Sequence, residues 1–243
     1  WAKIVEAIKS GKYGKLRVAR GLCYKKRGSI KFKKPQAPPA GMDFNLWLGP
    51  AADQPYHENL VHYNWHWFWD FGNGDIGNQG VHQLDIARWG IPNATLPKKV
   101  ISVGGRLGYK DQGETANTLM TIFDFGETQL IFEVRGLVPR NRIDDLFHFD
   151  GGTIRSDGKF YAKNDKKGEL ITNVKSSRGP GGGNHFANVV AAVKSRDNED
   201  LNADILEGHY SSALGHLANV SYRLGEEGSF SKAEKTFTDN KAA

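Results

Sequence analysis

Two rhythms of apolar and polar positions run along this 243-residue chain. Ile4, Val5 and Ile8 recur at helical spacing within residues 2–10, and Gly11 supplies a stop. Residues 15–26 alternate in part and end in Tyr24-Lys25-Lys26, which predicts a strand. Residues 28–62 carry five prolines, a density that forbids a regular element over most of the stretch. The spacing then predicts a helix over 75–89, ended by Gly90 and Pro92. Four β-rich runs follow at 98–107, 116–125, 128–137 and 145–150, with a hairpin turn at Asp124, Gly126 and Glu127. Shorter strands are predicted at 152–156 and 158–163, a glycine-rich hinge or turn at 179–183, and helices at 185–195 and 203–224. This order predicts an α+β domain: a large, mostly antiparallel sheet with its helices on one face. Alternation along Val100, Ser102, Gly104 and along Leu130, Phe132, Val134 is imperfect. Both faces are therefore expected to be covered, one by helices and one by another surface.

The composition, 39% apolar, 11% aromatic and 25% charged, is that of a globular chain. No apolar run approaches the roughly 20 residues that span a bilayer, so no membrane partner is expected. A single cysteine, Cys23, excludes an internal disulfide framework and a cysteine-based zinc cluster. The net charge is +6, and Lys25, Lys26, Arg27, Lys31, Lys33 and Lys34 fall within ten positions. No zinc-finger, RNP or helix-turn-helix pattern accompanies them. They read as a solvated loop or a wall that attracts anionic ligands, and no nucleic-acid partner is expected.

The chemistry gathers on the helix at 75–89. At about 100° per residue, Asn78, His82, Asp85 and Trp89 share an arc of roughly 60°. Imidazole is the usual acid/base near neutral pH, and Asp85 lies three residues on, within reach. His82 is thus either an acid/base or a buried histidine satisfied by Asp85. One histidine and one carboxylate do not make a metal site, and none is expected. Gly77 and Gly80 weaken a helix by roughly 1 kcal/mol each, which predicts a close approach to that backbone. Trp65, His66 and Trp67 precede the helix; aromatic faces suit the apolar faces of sugars, and they suit a core equally. Tyr24, Lys25 and Arg27 end the first strand and are candidates to reach a pocket. Arg135 lies among Phe132, Val134 and Leu137, where a charge is either paired across the sheet or functional.

Gly74, Ile76, Gly80, His82 and Asp85 match positions of the Gly-Gly-x-Leu-x-Asp-x-Gly-x-His-x-x-Asp signature of the Gfo/Idh/MocA family, with Asn78 where that family usually has Asp. Lys12-Tyr13-Gly14-Lys15 and Asn45-Leu46-Trp47-Leu48-Gly49-Pro50 resemble two further family segments. The chain as a whole is similar to the C-terminal half of such a protein. The resemblance implies a glyceraldehyde-3-phosphate-dehydrogenase-like C-terminal domain over 1–225, with a tail at 226–243. It implies NAD or NADP as cofactor and an N-terminal dinucleotide-binding domain upstream of Trp1. No Gly-x-Gly-x-x-Gly opening a βαβ unit, and no Glu-Lys-Pro, occurs here. The chain by itself is therefore expected to be inactive. By resemblance His82 is the acid/base, Asn78 positions substrate or cofactor, and Asp85 orients His82. Tyr24, Lys25, Arg27, Trp65, Trp67 and Arg135 would contact a sugar or polyol substrate. A homo-oligomer through the open sheet face is implied too. An NAD-recycling glycosidase or lyase of the same family, or a non-catalytic carbohydrate-binding or assembly module, are the competing readings. The compartment stays open between cytoplasm and periplasm.

Overall fold

A computed structural model describes residues 1–172, 174 and 179–225, and the backbone of 230–231 and 236–237. The chain starts with α1 (Ala2–Lys9), which buries Ile4, Val5, Ala7 and Ile8 and ends before Gly11 at φ +74°. It continues through β1 (Leu16–Tyr24), the short α2 (Phe44–Leu48) and α3 (Gly80–Trp89). Seven strands follow: β2 (Lys99–Gly105), β3 (Thr118–Asp124), β4 (Gln129–Arg135), β5 (Arg142–Phe149), β6 (Gly152–Arg155), β7 (Lys159–Ala162) and β8 (Glu169–Leu170). Then come α4 (His185–Ser195) and α5 (Ile205–Arg223). Asn184 caps α4 and Asp204 caps α5, each accepting a backbone N–H from the first turn.

The strands form one eight-stranded sheet in the order β2-β3-β4-β1-β5-β6-β7-β8. Every neighbouring pair is antiparallel except β1 with β4. The first strand thus enters the middle of a sheet made later in the chain. The β3–β4 turn is as expected: Asp124 Oδ1 accepts the Gly126 N–H at 2.7 Å, and Gly126 takes φ +97°. The glycine-rich segment is a turn tied down by Asn188, whose side chain donates to the carbonyls of Pro180 and Asp200. The two-residue β8 escaped the sequence reading. The expected tail, 226–243, lies outside the described residues save for a pairing of 230–231 with 236–237.

Helices α3 and α5 cover one face. Ala19, Cys23, Leu119, Phe123, Leu130, Phe132, Val134 and Phe147 point into the core with Leu84, Ala87, Leu214 and Ala218. At the edge strand, Ser221 of α5 accepts the Ser102 N–H at 3.0 Å, so an otherwise unpaired ladder donor is satisfied. The opposite face leaves Ile101, Val103 and Met120 exposed. There Glu133 is buried yet fully engaged, by Arg20, by Tyr24 Oη at 2.7 Å and by Arg135 at 2.6 Å. Among the described residues no helix is long and apolar enough to cross a membrane.

Candidate active site

The site forms where β1 leaves the sheet. The Arg27 N–H donates to the Gly136 carbonyl at 2.8 Å, just past β4, so the departing loop stays stitched to the sheet end. The Arg27 guanidinium turns inward. Its Nε donates to Asp75 Oδ2 at 2.8 Å and its Nη2 to Asp75 Oδ1, the fork geometry that suits a carboxylate. Asp75 is 0% exposed and sits in a 3-10 turn, Gly74–Ile76. Gly74 adopts φ +68°, and a Cβ there would meet Thr115 Oγ1 at 2.8 Å, so only glycine fits. Burial works against the Arg27 charge, but the hydrogen bond and charge of Asp75 outweigh it and hold its pKa above the ordinary value.

Tyr63 joins this pair to the catalytic candidates. Arg27 Nη1 donates to its hydroxyl at 3.1 Å, and Asn78 bonds the same hydroxyl. Partial burial raises the phenol's pKa, while the Arg27 hydrogen bond and charge lower it more, leaving it below the ordinary value. Asn78 Nδ2 also stands 3.5 Å from Asp75 Oδ1. Behind them Trp67 is 2% exposed, with Arg106 4.7 Å and Arg27 5.6 Å from its ring centroid. A cleft of about 550 Å³ opens beside this cluster, lined among others by Lys26, Arg27, Lys31, Asn59, Tyr63 and Trp67.

The expected helix over 75–89 is instead a 3-10 turn, a bend and then α3 from Gly80. Asn78 therefore lies in the turn just before the helix that carries His82. The close approach foreseen at Gly77 and Gly80 comes from the protein itself. A Cβ on Gly80 would meet the Asp75 carbonyl at 2.9 Å and the Phe132 ring at 3.1 Å, and one on Gly77 would collide with Asn73.

His82 stands exposed on the first turn of α3, and its ring makes no hydrogen bond among the described residues. The reading of a buried histidine satisfied by Asp85 does not hold, nor does Asp85 orient the ring. Asp85 accepts instead from Ser211 Oγ of α5 at 2.5 Å, and that hydroxyl accepts from Arg88 Nε at 2.7 Å. Arg88, 3% exposed, also donates to Glu207 Oε2 at 2.5 Å and to the Ala94 carbonyl at 2.7 Å. Asp85 is thus part of a latch between α3 and α5.

Tyr24 and Arg135 are corrected too. Strand alternation puts Cys23 in the core and Tyr24 on the opposite face, where its ring lies 4.9 Å from the Arg135 guanidinium and both engage Glu133. Neither joins the cluster. Lys25 is close enough for its charge to act on Tyr63 and His66. Trp65 is exposed and edge-on to the buried His66, whose Nδ1 lies 2.7 Å from the Tyr63 carbonyl. Asp75 and Tyr63 were not singled out in the sequence. The pairing of Asp75 with Arg27 spans 48 residues and leaves no local signal.

No curated protein sequence matches the chain. Solved structures do. The WlbA dehydrogenase from Bordetella pertussis, in complex with NADH and UDP-GlcNAcA, is 16% identical with a TM-score of 0.57, over 92% of this chain and 58% of that one. The WlbA dehydrogenase from Chromobacterium violaceum, with the same two ligands, is 14% identical with a TM-score of 0.57, over 93% and 58%. GenD2 from gentamicin A biosynthesis, in complex with NAD, is 14% identical with a TM-score of 0.54, over 93% and 58%. The chain therefore spans 58% of the length of these three proteins, and the likeness establishes a shared fold. The family described as "Oxidoreductase family, C-terminal alpha/beta domain" matches residues 15–243. With that match over nearly all of its length, the chain belongs to the Gfo/Idh/MocA oxidoreductase family, as the C-terminal domain.

Proposed function

We propose that this chain is the substrate-binding and proton-handling half of an NAD(P)-dependent oxidoreductase acting on a sugar, a polyol or a sugar derivative. The observation that carries the reading is an exposed, unengaged His82 next in the chain to a bend whose Asn78 is held by Tyr63 and Asp75. An imidazole free of internal partners can accept a hydroxyl proton from a bound carbinol. Asn78 cannot take up a proton at neutral pH, so its part is to orient a hydroxyl by donating and accepting. Tyr63 offers a second hydroxyl contact, held in place by the Arg27 guanidinium. The exposed faces of Trp65 and Trp89 suit the apolar side of a sugar ring.

The chain's own residues do not fit a dinucleotide. It has no glycine-rich fingerprint, and the one parallel pair among the described residues, β1 with β4, is not an adjacent βαβ unit. A nicotinamide cofactor, bound by the further length that such proteins carry, would supply the hydride acceptor. The exposed Ile101, Val103 and Met120 on the open sheet face favour association with a second copy.

The test is His82→Asn in the full-length protein. Removing a positioned acid/base lowers kcat by about 10²- to 10⁴-fold, with an unchanged circular dichroism spectrum. Undiminished NADH formation in the variant would sink the reading.

A further inference from the structure

The cleft beside Tyr63 has a charged wall that the proposed proton chemistry does not use. Lys33 is neutralised by Glu58 at 2.6 Å, and Arg27 by Asp75. Lys26 and Lys31 line the same cleft, and neither ammonium group has a carboxylate partner among the described residues. The side-chain amide of Asn64, also on the lining, makes no hydrogen bond among the described residues. A solvated loop would leave lysines unpaired as well, so the decisive question is whether this wall is built.

It is. Lys31 takes φ +58°, a conformation few non-glycine residues adopt. The surrounding bonds hold it there. The Ile30 N–H donates to Asp111 Oδ2 at 2.8 Å, and Asp111 is itself fixed by Arg106 at 2.6 Å. The Lys31 carbonyl accepts from the Gln112 N–H and from Asn59 Nδ2, each at 3.2 Å. Asn59 Nδ2 reaches Gln112 Oε1 at 2.9 Å, and the same oxygen accepts the Lys33 N–H at 3.1 Å. The basic segment is therefore anchored on both sides of Lys31, over a floor that includes Ile30 and the Trp67 ring. At about 550 Å³ the cleft has the size of a small-molecule site and is too small for a nucleic-acid groove.

We infer that this cleft binds an anionic substituent of the substrate, a carboxylate or a phosphate, through Lys26 and Lys31. The polar Asn64 and Tyr63 orient it. Tyr63 links the anion cleft to Asn78, so one ligand would place its charge by the lysines and its reacting hydroxyl toward His82. The inference deepens the proposed function and rests on it for calling the ligand a substrate.

The experiment is calorimetric titration of this 243-residue chain with UDP, with glucuronate and with uncharged glucose at low ionic strength. Expected is at least one anion binding about tenfold or more tighter than glucose, with affinity falling as salt is added. UDP alone assigns a phosphate site, and glucuronate alone a carboxylate site. The double variant Lys26→Gln/Lys31→Gln should lose about tenfold, and Lys26→Arg/Lys31→Arg should retain binding. Glu58→Gln, which frees Lys33, should tighten it. Equal affinity for glucose, no binding of either anion, or an unaffected Gln/Gln variant that is folded by circular dichroism would overturn the inference. The titration needs neither cofactor nor turnover. Its failure leaves the His82 chemistry standing, whereas undiminished turnover in His82→Asn leaves the anion cleft standing.

Discussion

Asp145 offers the sharpest test of the energetics beneath α3. It sits on β5 opposite Gly21, on the helix-facing side of the sheet, 1% exposed, and neither carboxyl oxygen has a hydrogen-bond partner among the described residues. Burial, reinforced by the nearby charges of Asp144 and Asp85, pushes its pKa up to about 9 from 3.8. The sign follows from where the proton resides. Between the unfolded and folded pKa values the native state keeps the proton and the unfolded state has released it, so stability falls as pH rises through that window and levels off above it. One proton corresponds to about 1.4 kcal/mol per pH unit. Between pH 5.5 and 7.5 this group alone should remove about 2.7 kcal/mol. Asp145→Asn keeps the shape and cannot ionise. Urea unfolding of both proteins at several pH values isolates the effect, because every other titrating group cancels in the difference. The vertical offset between the two curves reflects how well the amide is accommodated, and it does not vary with pH. The Asn variant should therefore gain on the native chain as pH rises, by roughly that 2.7 kcal/mol over two units. Parallel curves would refute the reasoning and mean that the carboxyl finds water or a partner when charged.

Four further outcomes follow from the same geometry. Asp75→Asn leaves the Arg27 guanidinium buried without its counter-charge and should cost about 3–5 kcal/mol in urea unfolding, whereas replacing both residues by apolar ones should cost less than the two single changes added together. Gly80→Ala forces a Cβ against the Phe132 ring at 3.1 Å and the Asp75 carbonyl at 2.9 Å, an overpacking cost of about 1–3 kcal/mol that a thermal melt will read. Ser211→Ala strips the hydroxyl joining Arg88 to Asp85 and should destabilise by about 1–3 kcal/mol; in the full-length protein it should lower kcat far less than His82→Asn does. The Cys23 thiol, buried and with its pKa pushed up to about 12 by that burial, should resist a thiol reagent in the native chain at pH 8 and react at once in denaturant.

The strand and helix pattern carried much of the architecture. The helix at His185–Ser195 and the run of antiparallel strands are legible because their signals are local: a capping Asn184, glycine turns, and alternation along each strand. The position of β1 between β4 and β5 is not legible, since nothing in Leu16–Tyr24 says that it waits for strands more than a hundred residues on. The site divides the same way. His82, Asn78 and Arg27 carry recognisable side chains in a motif. Tyr24 misled because the strand continues one residue past Cys23 and turns it to the other face. Arg135 misled because its partner, Glu133, lies two residues away on the same strand face, where a run of apolar neighbours hides the pairing. The break between the bend and α3 went unread because Gly77 and Gly80 fit a weak helix and a tight corner equally well.

The helix bearing His82 is restrained from three directions. At its start, the Asp75 carbonyl and the Phe132 ring press on Gly80, and Asp75 is fixed by Arg27 from the end of β1. Along its length, Leu84 and Ala87 are fully buried in the core. Near its end, Arg88 and Asp85 share Ser211 with α5. The restraints at the two ends engage Asp75, Asp85, Arg88 and most of Arg27. Among the described residues, Lys26, Lys31 and the Asn64 amide on the cleft lining and the exposed His82 on α3 have no internal partner. Most buried polar groups in a fold are satisfied, so the groups left without partners at a rigid, open surface are those free to bind and react. That is why Asp85, the carboxylate that the motif places beside His82, is better assigned to holding the helix than to tuning the imidazole. Free of Asp85, the His82 imidazole stands open to solvent on the first turn of α3.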